Sequence, residues 1–219
     1  MKAIEETGES IAIASEGSFG PHPSIYFVPA NIELLLFIDT LNNIEILGWE
    51  ISTDTNFSQA IVSDVESASV FAKKGGFPSH AMVVRPNKEI NKSSMLFKGI
   101  TSGEILKDAV IKSINASIDG KALIETDMRA IYNPKRMKVI EKATVNLLNK
   151  ILNVCPECSW PAFEITERVK GLPCESCFFP TRGIKKYIFQ CKNCNYKLDK
   201  EFPDNQNFSD SRYCDICNP

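Results

Sequence analysis

Four CxxC pairs in the last third of the chain constrain its fold more than any other feature. They contain all eight cysteines of the sequence: Cys155/Cys158, Cys174/Cys177, Cys191/Cys194 and Cys214/Cys217. A CxxC turn presents two sulfurs to one side of a metal ion, and a second such turn completes a tetrahedron of thiolates. Four thiolates suit zinc and leave no open position for water, so we predict two structural zinc ions.

The pairing of these CxxC turns has two solutions. Sequential pairing would join the first turn to the second and the third to the fourth, giving two consecutive zinc ribbons. Interleaved pairing would join the first to the third and the second to the fourth, giving a cross-braced unit. The spacers of 15, 13 and 19 residues suit short hairpins. We favour sequential pairing, because its shorter loops cost less closure entropy.

Four disulfides are the remaining alternative for these cysteines, and the sequence disfavours them. Its polar, acidic start does not resemble a secretory signal, and adjacent CxxC pairs are typical of metal sites in a reducing compartment. No apolar run approaches the roughly 20 residues that span a bilayer. We therefore predict a cytoplasmic protein with no membrane partner.

Composition indicates one hydrophobic core and one small metal-stabilised module. The 219 residues are 43% hydrophobic, which is enough for a core of moderate size. We predict an α/β domain at residues 1–152, with a mixed sheet and about three helices. A Cys-rich double zinc-ribbon module should follow at residues 153–219.

The charge balance argues against a broad nucleic-acid footprint. The net charge is −2, and residues 150–219 carry ten Lys or Arg against nine Asp or Glu. Binding to a polyanion usually needs a basic excess. One local group remains, and we favour its interpretation as a solvated hairpin face. It consists of Arg182, Lys185, Lys186 and Lys192, with Tyr187 and Phe189 among them.

Several predicted strands end in polar segments. The apolar strand Ser10–Ser15 is followed by a Gly- and Pro-rich segment, Glu16–Pro23, which we predict to be a loop carrying Glu16 and His22. The strand Lys121–Thr126 leads to Asp127 and Arg129, and Asn133-Pro134 predicts the start of a long helix with Arg136 in its first turn.

Such strand ends can converge on one edge of an α/β sheet, where ligands bind. Acids mixed with Arg and Lys suit a Mg²⁺–phosphate ligand, since carboxylates hold the ion and Arg clamps the phosphate. The candidate acids are Glu16, Asp54, Glu125 and Asp127; the candidate cations are His22, His80, Arg85, Lys98, Arg129 and Arg136. Taken singly, each is also compatible with an ordinary structural role.

Several motifs resemble an uncharacterised bacterial family, a domain of unknown function. They are ASEGSFGPHP (Ala14–Pro23), STDTNF (Ser52–Phe57), GFPSHAMVVRP (Gly76–Pro86), FKGI (Phe97–Ile100), ETDMRA (Glu125–Ala130), NPKRM (Asn133–Met137), GLPCESC (Gly171–Cys177) and CDICNP (Cys214–Pro219). The resemblance covers nearly the whole chain and implies no established activity. It also implies additional chain before Ala14 in other members.

A more distant resemblance is to the inosine triphosphate pyrophosphatase-like group. Residues 11–19 resemble the acidic loop of that group, which implies that Glu16 binds a metal or acts as a general base. Arg129 and Arg136 resemble its late basic residues, which implies phosphate contacts.

Two functional hypotheses follow. The first is a zinc-binding, Mg²⁺-dependent nucleotide or phosphate-ester hydrolase, in which Glu16 and Asp127 hold the metal or activate water and His22 carries a proton. Arg129 and Arg136 would bind phosphate. The second is a non-catalytic module whose zinc ribbons bind nucleic acid or a protein partner.

Overall fold

The computed structural model of the protein describes residues 2–88 and 95–219. The chain divides into two units, Met1–Asn146 and Leu147–Pro219. The boundary falls inside the longest helix, α4, which spans Pro134–Leu152.

A three-stranded antiparallel sheet follows a short helix at the start of the first unit. The short helix α1 (Lys2–Thr7) ends at Gly8, and the strands follow as β1 (Ile11–Pro21), β2 (Pro29–Asp39) and β3 (Ile44–Ser52), in the spatial order β1-β2-β3. A carboxylate oxygen of Asp39 accepts hydrogen bonds from the N–H groups of Leu41 and Asn42. This Asx-type turn reverses the chain between β2 and β3.

Strand β1 continues through most of the segment that we predicted to be a loop. Every residue from Ile11 to Pro21 has a partner in β2, including Glu16, which lies opposite Leu34. The loop prediction was therefore wrong. Glycine and proline are tolerated here because β1 is an edge strand and Pro21 is its last residue.

The second sheet of this unit carries the main hydrophobic core. Its strands are β4 (Gln59–Val62), β5 (Met82–Pro86), β6 (Phe97–Ile100) and β7 (Ala122–Thr126), arranged antiparallel in the order β4-β7-β5-β6. Helices α2 (Val65–Lys74) and α3 (Gly103–Ala116) pack on it. Burial alternates along β5 and β7, because successive side chains point to opposite faces of a sheet. The fully buried core includes Met82, Val84, Ile100, Val110 and Ile124.

Helix α4 begins where the Asn-Pro pair predicts. Asn133 is fully buried, and its Oδ1 accepts a hydrogen bond from the N–H of Arg136 at 3.0 Å. Its Nδ2 donates to Asn56 Oδ1 at 2.9 Å and to the carbonyl of Asp127 at 3.2 Å. One capping side chain thus fixes the first turn of α4 against the segments that follow β3 and β7.

The second unit is a three-stranded antiparallel sheet with a CxxC turn at each connection. Its strands are β8 (Glu164–Lys170), β9 (Ile184–Gln190) and β10 (Lys197–Glu201), in the order β10-β9-β8. Phe163 packs with Cys155 and Cys191 in a small core. The predicted fold class, a mixed α/β domain followed by a Cys-rich module, is confirmed.

Candidate functional site

The eight cysteines form two groups of four. One group is Cys155, Cys158, Cys191 and Cys194; the other is Cys174, Cys177, Cys214 and Cys217. The pairing is interleaved, so our preference for sequential pairing was wrong.

The antiparallel sheet is the physical reason for this pairing. Glu164, at the start of β8, lies opposite Gln190, at the end of β9, so the CxxC turns before β8 and after β9 share one end of the sheet. The turns after β8 and after β10 are at the other end. Loop-closure entropy could not decide between the alternatives, because a doubling of loop length costs only about 0.6 kcal/mol.

The sulfur geometry fits a tetrahedral metal ion in each group. Sγ–Sγ distances across the first group are 3.7 Å (Cys155–Cys194) and 3.6 Å (Cys158–Cys191). Across the second they are 3.9 Å (Cys174–Cys217) and 3.6 Å (Cys177–Cys214). Zinc–sulfur bonds of about 2.3 Å at tetrahedral angles require sulfurs about 3.8 Å apart. A disulfide would need about 2.05 Å, and all eight cysteines are free.

The four CxxC turns share one backbone design. In each, the carbonyl of the first Cys accepts a hydrogen bond from the N–H four residues later, as from Ser159 to Cys155 at 2.8 Å and from Asn218 to Cys214 at 2.9 Å. In the first three turns, the residue that donates this hydrogen bond has a positive φ: Ser159 (58°), Phe178 (59°) and Asn195 (60°). Backbone N–H groups also point at sulfur, as from Asn193 to Cys191 Sγ at 3.4 Å. Such donors stabilise a thiolate.

The thiols of each group cannot all ionise easily without a cation. The backbone N–H of Trp160 helps to lower the pKa of Cys158 to about 7. The Tyr196 N–H acts the same way on Cys194, but burial and the hydrogen bond with Cys158 outweigh it and raise the pKa of Cys194 to about 12. The second group repeats this contrast, with a pKa of about 7 for Cys214 and about 12 for Cys217. A divalent metal ion would displace the protons that Cys194 and Cys217 otherwise retain.

The first unit has a separate open pocket of about 330 Å³, lined by both charged and apolar side chains. Three of the five catalytic and phosphate-binding residues predicted from the sequence line it: Asp127, Arg129 and Arg136. The remaining lining residues are Phe19, Val83, Lys98 and Met128. The pocket thus combines residues of β1, β5 and β6 with the segment after β7 and the first turn of α4.

Arg129 is held in the pocket by the buried Asp127. The Asp127 carboxylate is 2% exposed and accepts hydrogen bonds from Arg129 Nε at 3.0 Å, Arg129 Nη2 at 2.6 Å and the Gly99 N–H at 3.0 Å. Burial raises the pKa of Asp127, but these hydrogen bonds and that from the Arg129 N–H outweigh burial and lower it below its usual range. Both Asp127 oxygens are occupied, so in this arrangement Asp127 orients Arg129.

Arg136 is held in the same manner by a second buried acid, Glu33 of β2. Its Nε donates to Glu33 Oε1 at 2.8 Å, and its Nη1 donates to the Met128 carbonyl at 2.6 Å. The guanidinium lies 5.2 Å from the centre of the Phe19 ring, within the range of a cation–π contact.

A glycine lies beside each acid–arginine ion pair, where a larger residue would not fit. A Cβ at Gly17 would lie 2.5 Å from Glu33 Oε2 and would also overlap Arg136. Gly99 has a φ of 68°, and a Cβ there would lie 2.8 Å from Tyr132, whose ring is 4.5 Å from the Arg129 guanidinium. Sequence reasoning missed Glu33 and Gly99. The available signal for Glu33 was a single acid within the apolar run of β2.

The other predicted site residues are positioned differently. Glu16 is exposed in β1, and strand alternation directs it to the face opposite Gly17 and Phe19. His22 lies in the turn after β1, where its Nδ1 accepts a hydrogen bond from the Ser24 N–H at 3.1 Å. The structure therefore does not bring Glu16 onto the pocket face with Asp127.

Two further acids form ion pairs. Asp54 pairs with Lys135, and Glu125 pairs with Arg85. Apart from the two four-cysteine groups, no three His, Cys, Asp or Glu side chains of residues 2–88 and 95–219 gather closely enough to hold a metal.

The fold and the four-cysteine groups define a class: a mixed α/β unit followed by a cross-braced, Cys-rich module whose two groups of thiols could each hold a metal ion. A family model described as Domain of unknown function (DUF6671) matches residues 1–219. The chain belongs to this family, which confirms the expected family of unknown function. Searches of curated proteins and of solved structures found no match. In the part of the chain that the structure describes, no helix has the length and apolarity needed to cross a membrane.

Proposed function

We propose that the protein binds two structural zinc ions and that its first unit binds a phosphorylated small molecule or nucleotide. The zinc assignment is supported by the Sγ–Sγ distances and by the donor set, since thiolates favour zinc among the common divalent ions of a reducing compartment. All eight thiols must stay reduced to act as ligands, which is why we assign the protein to the cytoplasm.

The ligand assignment is carried by the pocket that Lys98 and Arg129 share. Asp127 already orients the Arg129 guanidinium, because Nε and Nη2 donate to its carboxylate. The other edge of the guanidinium, at Nη1, is directed away from that carboxylate. Lys98 is exposed and adds a positive charge that no carboxylate within 4 Å offsets among the described residues. Arg136 supports the pocket wall, because its donors are used by Glu33 and Met128. A preoriented Arg beside an exposed Lys suits a phosphate.

We further propose that a Mg²⁺ ion can accompany the phosphorylated ligand, held mainly by the phosphate oxygens, as is usual for Mg²⁺. Hydrolysis of that ligand remains the catalytic hypothesis. In it, Glu16 acts as the base or metal ligand and His22 as a proton carrier, and both would have to approach the pocket with the ligand in place. Asp127 would then act through Arg129.

Direct binding tests this function. Titration calorimetry with inorganic phosphate and nucleoside triphosphates, each with and without Mg²⁺, should detect binding to the zinc-loaded protein. Lys98→Ala and Arg129→Gln should each weaken it about 10-fold or more, since each removes a charged hydrogen-bond donor. Lys112→Ala is the matched control, because Lys112 pairs with Asp108 on the surface of α3. Equal affinity in Lys98→Ala and the native protein would refute the pocket assignment.

A phosphate and pyrophosphate release assay on the same ligands separates binding from catalysis. Turnover that disappears in Glu16→Gln, with binding retained, would establish a hydrolase. Binding without turnover would leave a non-catalytic ligand-binding protein. The alternative hypothesis, a module that binds a macromolecule through its metal-binding unit, depends on different residues.

A further inference from the structure

The sheet of the second unit separates its charges between its two faces. Along β9, Lys185 and Tyr187 point to one face and Lys186 points to the other, because side chains alternate. Tyr187 lies directly opposite Arg168 of β8 and Lys200 of β10. We call the face formed by Arg168, Lys185, Tyr187, Leu198 and Lys200 the basic face.

The acids of this sheet lie on the opposite face. Lys186 pairs there with Asp199 at 2.5 Å. The hydrogen bond to Asp199 raises the pKa of Lys186, and the charges of Glu201 and Glu167 act in the same direction. Arg182 pairs with Asp215. The Lys and Arg side chains that lie close together in the sequence are therefore not all on one face of the sheet. The unit is close to neutral overall, but one face is basic and the other carries the acids.

The basic face is open and its charges are unpaired. Arg168, Lys185 and Lys200 are exposed, and no carboxylate of the described residues lies within salt-bridge distance of them. The Arg168 guanidinium lies 5.8 Å from the centre of the half-buried Tyr187 ring. Leu198 beside it is 42% exposed. Three cations therefore surround one aromatic ring.

We infer that the basic face binds single-stranded nucleic acid. Cations on both sides of an aromatic ring can follow a phosphate backbone while the ring and the Arg168 plane stack on unpaired bases. The major groove of a duplex admits an α-helix or a two-stranded ribbon, and this sheet has three strands, so a single strand fits its face better. An acidic protein would be attracted by the charges but would gain little from Tyr187. The inference uses none of the pocket residues and is independent of the proposed ligand.

Fluorescence anisotropy with labelled single-stranded RNA and DNA of mixed sequence tests it on the zinc-loaded full chain. Lys200→Ala should weaken binding. It should also lower the slope of log Kd against log salt concentration by about one, as expected for one lost phosphate contact. Tyr187→Leu should weaken binding roughly 5- to 100-fold with little change in that salt dependence, as expected for lost stacking.

Charge reversal on one strand provides the matched control. Lys200→Glu should reduce affinity strongly, whereas Lys197→Glu makes the same change on the opposite face of β10 and should have a small effect. Zinc content and thermal unfolding confirm that each variant is folded. The inference is overturned by any of four results: no binding, equal loss in Lys197→Glu and Lys200→Glu, tighter binding to duplex, or equally effective competition by poly-glutamate.

Discussion

Two buried acids in the first unit each hold one arginine. Asp127 and Glu33 are both 2% exposed at the side chain, and each accepts two or more hydrogen bonds from a single guanidinium. A buried carboxylate without such a partner would be strongly unfavourable. The residues identified from the sequence as site candidates are therefore also structural residues, and any ligand would use the exposed edge of Arg129.

Substitution of Asp127 should reveal this dual role through its pH dependence. Because the folded pKa of Asp127 is lowered, its contribution to stability is complete above the unfolded pKa of about 4 and is lost as pH falls through the folded value. We expect Asp127→Asn to reduce the free energy of unfolding by about 1–3 kcal/mol at pH 7.

The difference between Asp127→Asn and the native protein should shrink as the pH is lowered below about 4. Urea unfolding of both proteins at several pH values measures it. Asp108→Asn is the control, since its exposed i,i+4 pair with Lys112 should contribute at most about 0.5 kcal/mol. A difference that stays constant from neutral to acidic pH would contradict the assigned ion pair.

At the scale of elements, the antiparallel order of β8, β9 and β10 determines which cysteines meet. The chain reverses at each connection, so successive CxxC turns alternate between the two ends of the sheet. The first group of four cysteines therefore links the segment before β8 to the β9–β10 connection. The second group links the β8–β9 connection to the segment after β10.

Two sets of four Cys→Ser substitutions distinguish this pairing from the sequential one. Removal of Cys155, Cys158, Cys191 and Cys194 should leave one intact group and one zinc ion per chain. Removal of Cys155, Cys158, Cys174 and Cys177 should leave half of each group and no tightly bound zinc. Sequential pairing requires the reverse result. Zinc content by atomic emission and the absorption spectrum of the cobalt-substituted protein report both outcomes.

At the scale of the whole molecule, the two units differ in what stabilises them. The first has a core of buried aliphatic side chains on its four-stranded sheet. The second buries fewer side chains: Phe163 packs with Cys155 and Cys191, and Leu172, Cys174 and Cys214 are also buried. Folding of so small a core usually requires metal or disulfide cross-links.

Removal of metal should therefore unfold the second unit selectively. The chain has two tryptophans, Trp49 in β3 and Trp160 beside the first group of four cysteines, so each unit has its own fluorescent reporter. In Trp49→Phe, a strong chelator should shift the Trp160 emission towards that of an exposed indole. In Trp160→Phe, the Trp49 emission should stay unchanged. A folded second unit after complete removal of zinc would refute the structural role of the metal.

The sequence by itself determined the features that depend on local chemistry. Eight cysteines in CxxC turns specify two four-cysteine groups, and Asn133-Pro134 specifies the start of a helix. Each depends on residues within a few positions of one another, so the pattern is visible in one dimension.

Only the tertiary structure decided which distant residues meet. It showed that β1 continues through Glu16, because pairing with β2 outweighs the turn preference of glycine and proline. It also set Arg136 against Glu33, 103 positions away along the chain, and joined alternate CxxC turns. Such contacts depend on strand order and register, and the competing arrangements differ too little in local energy for the sequence pattern to separate them.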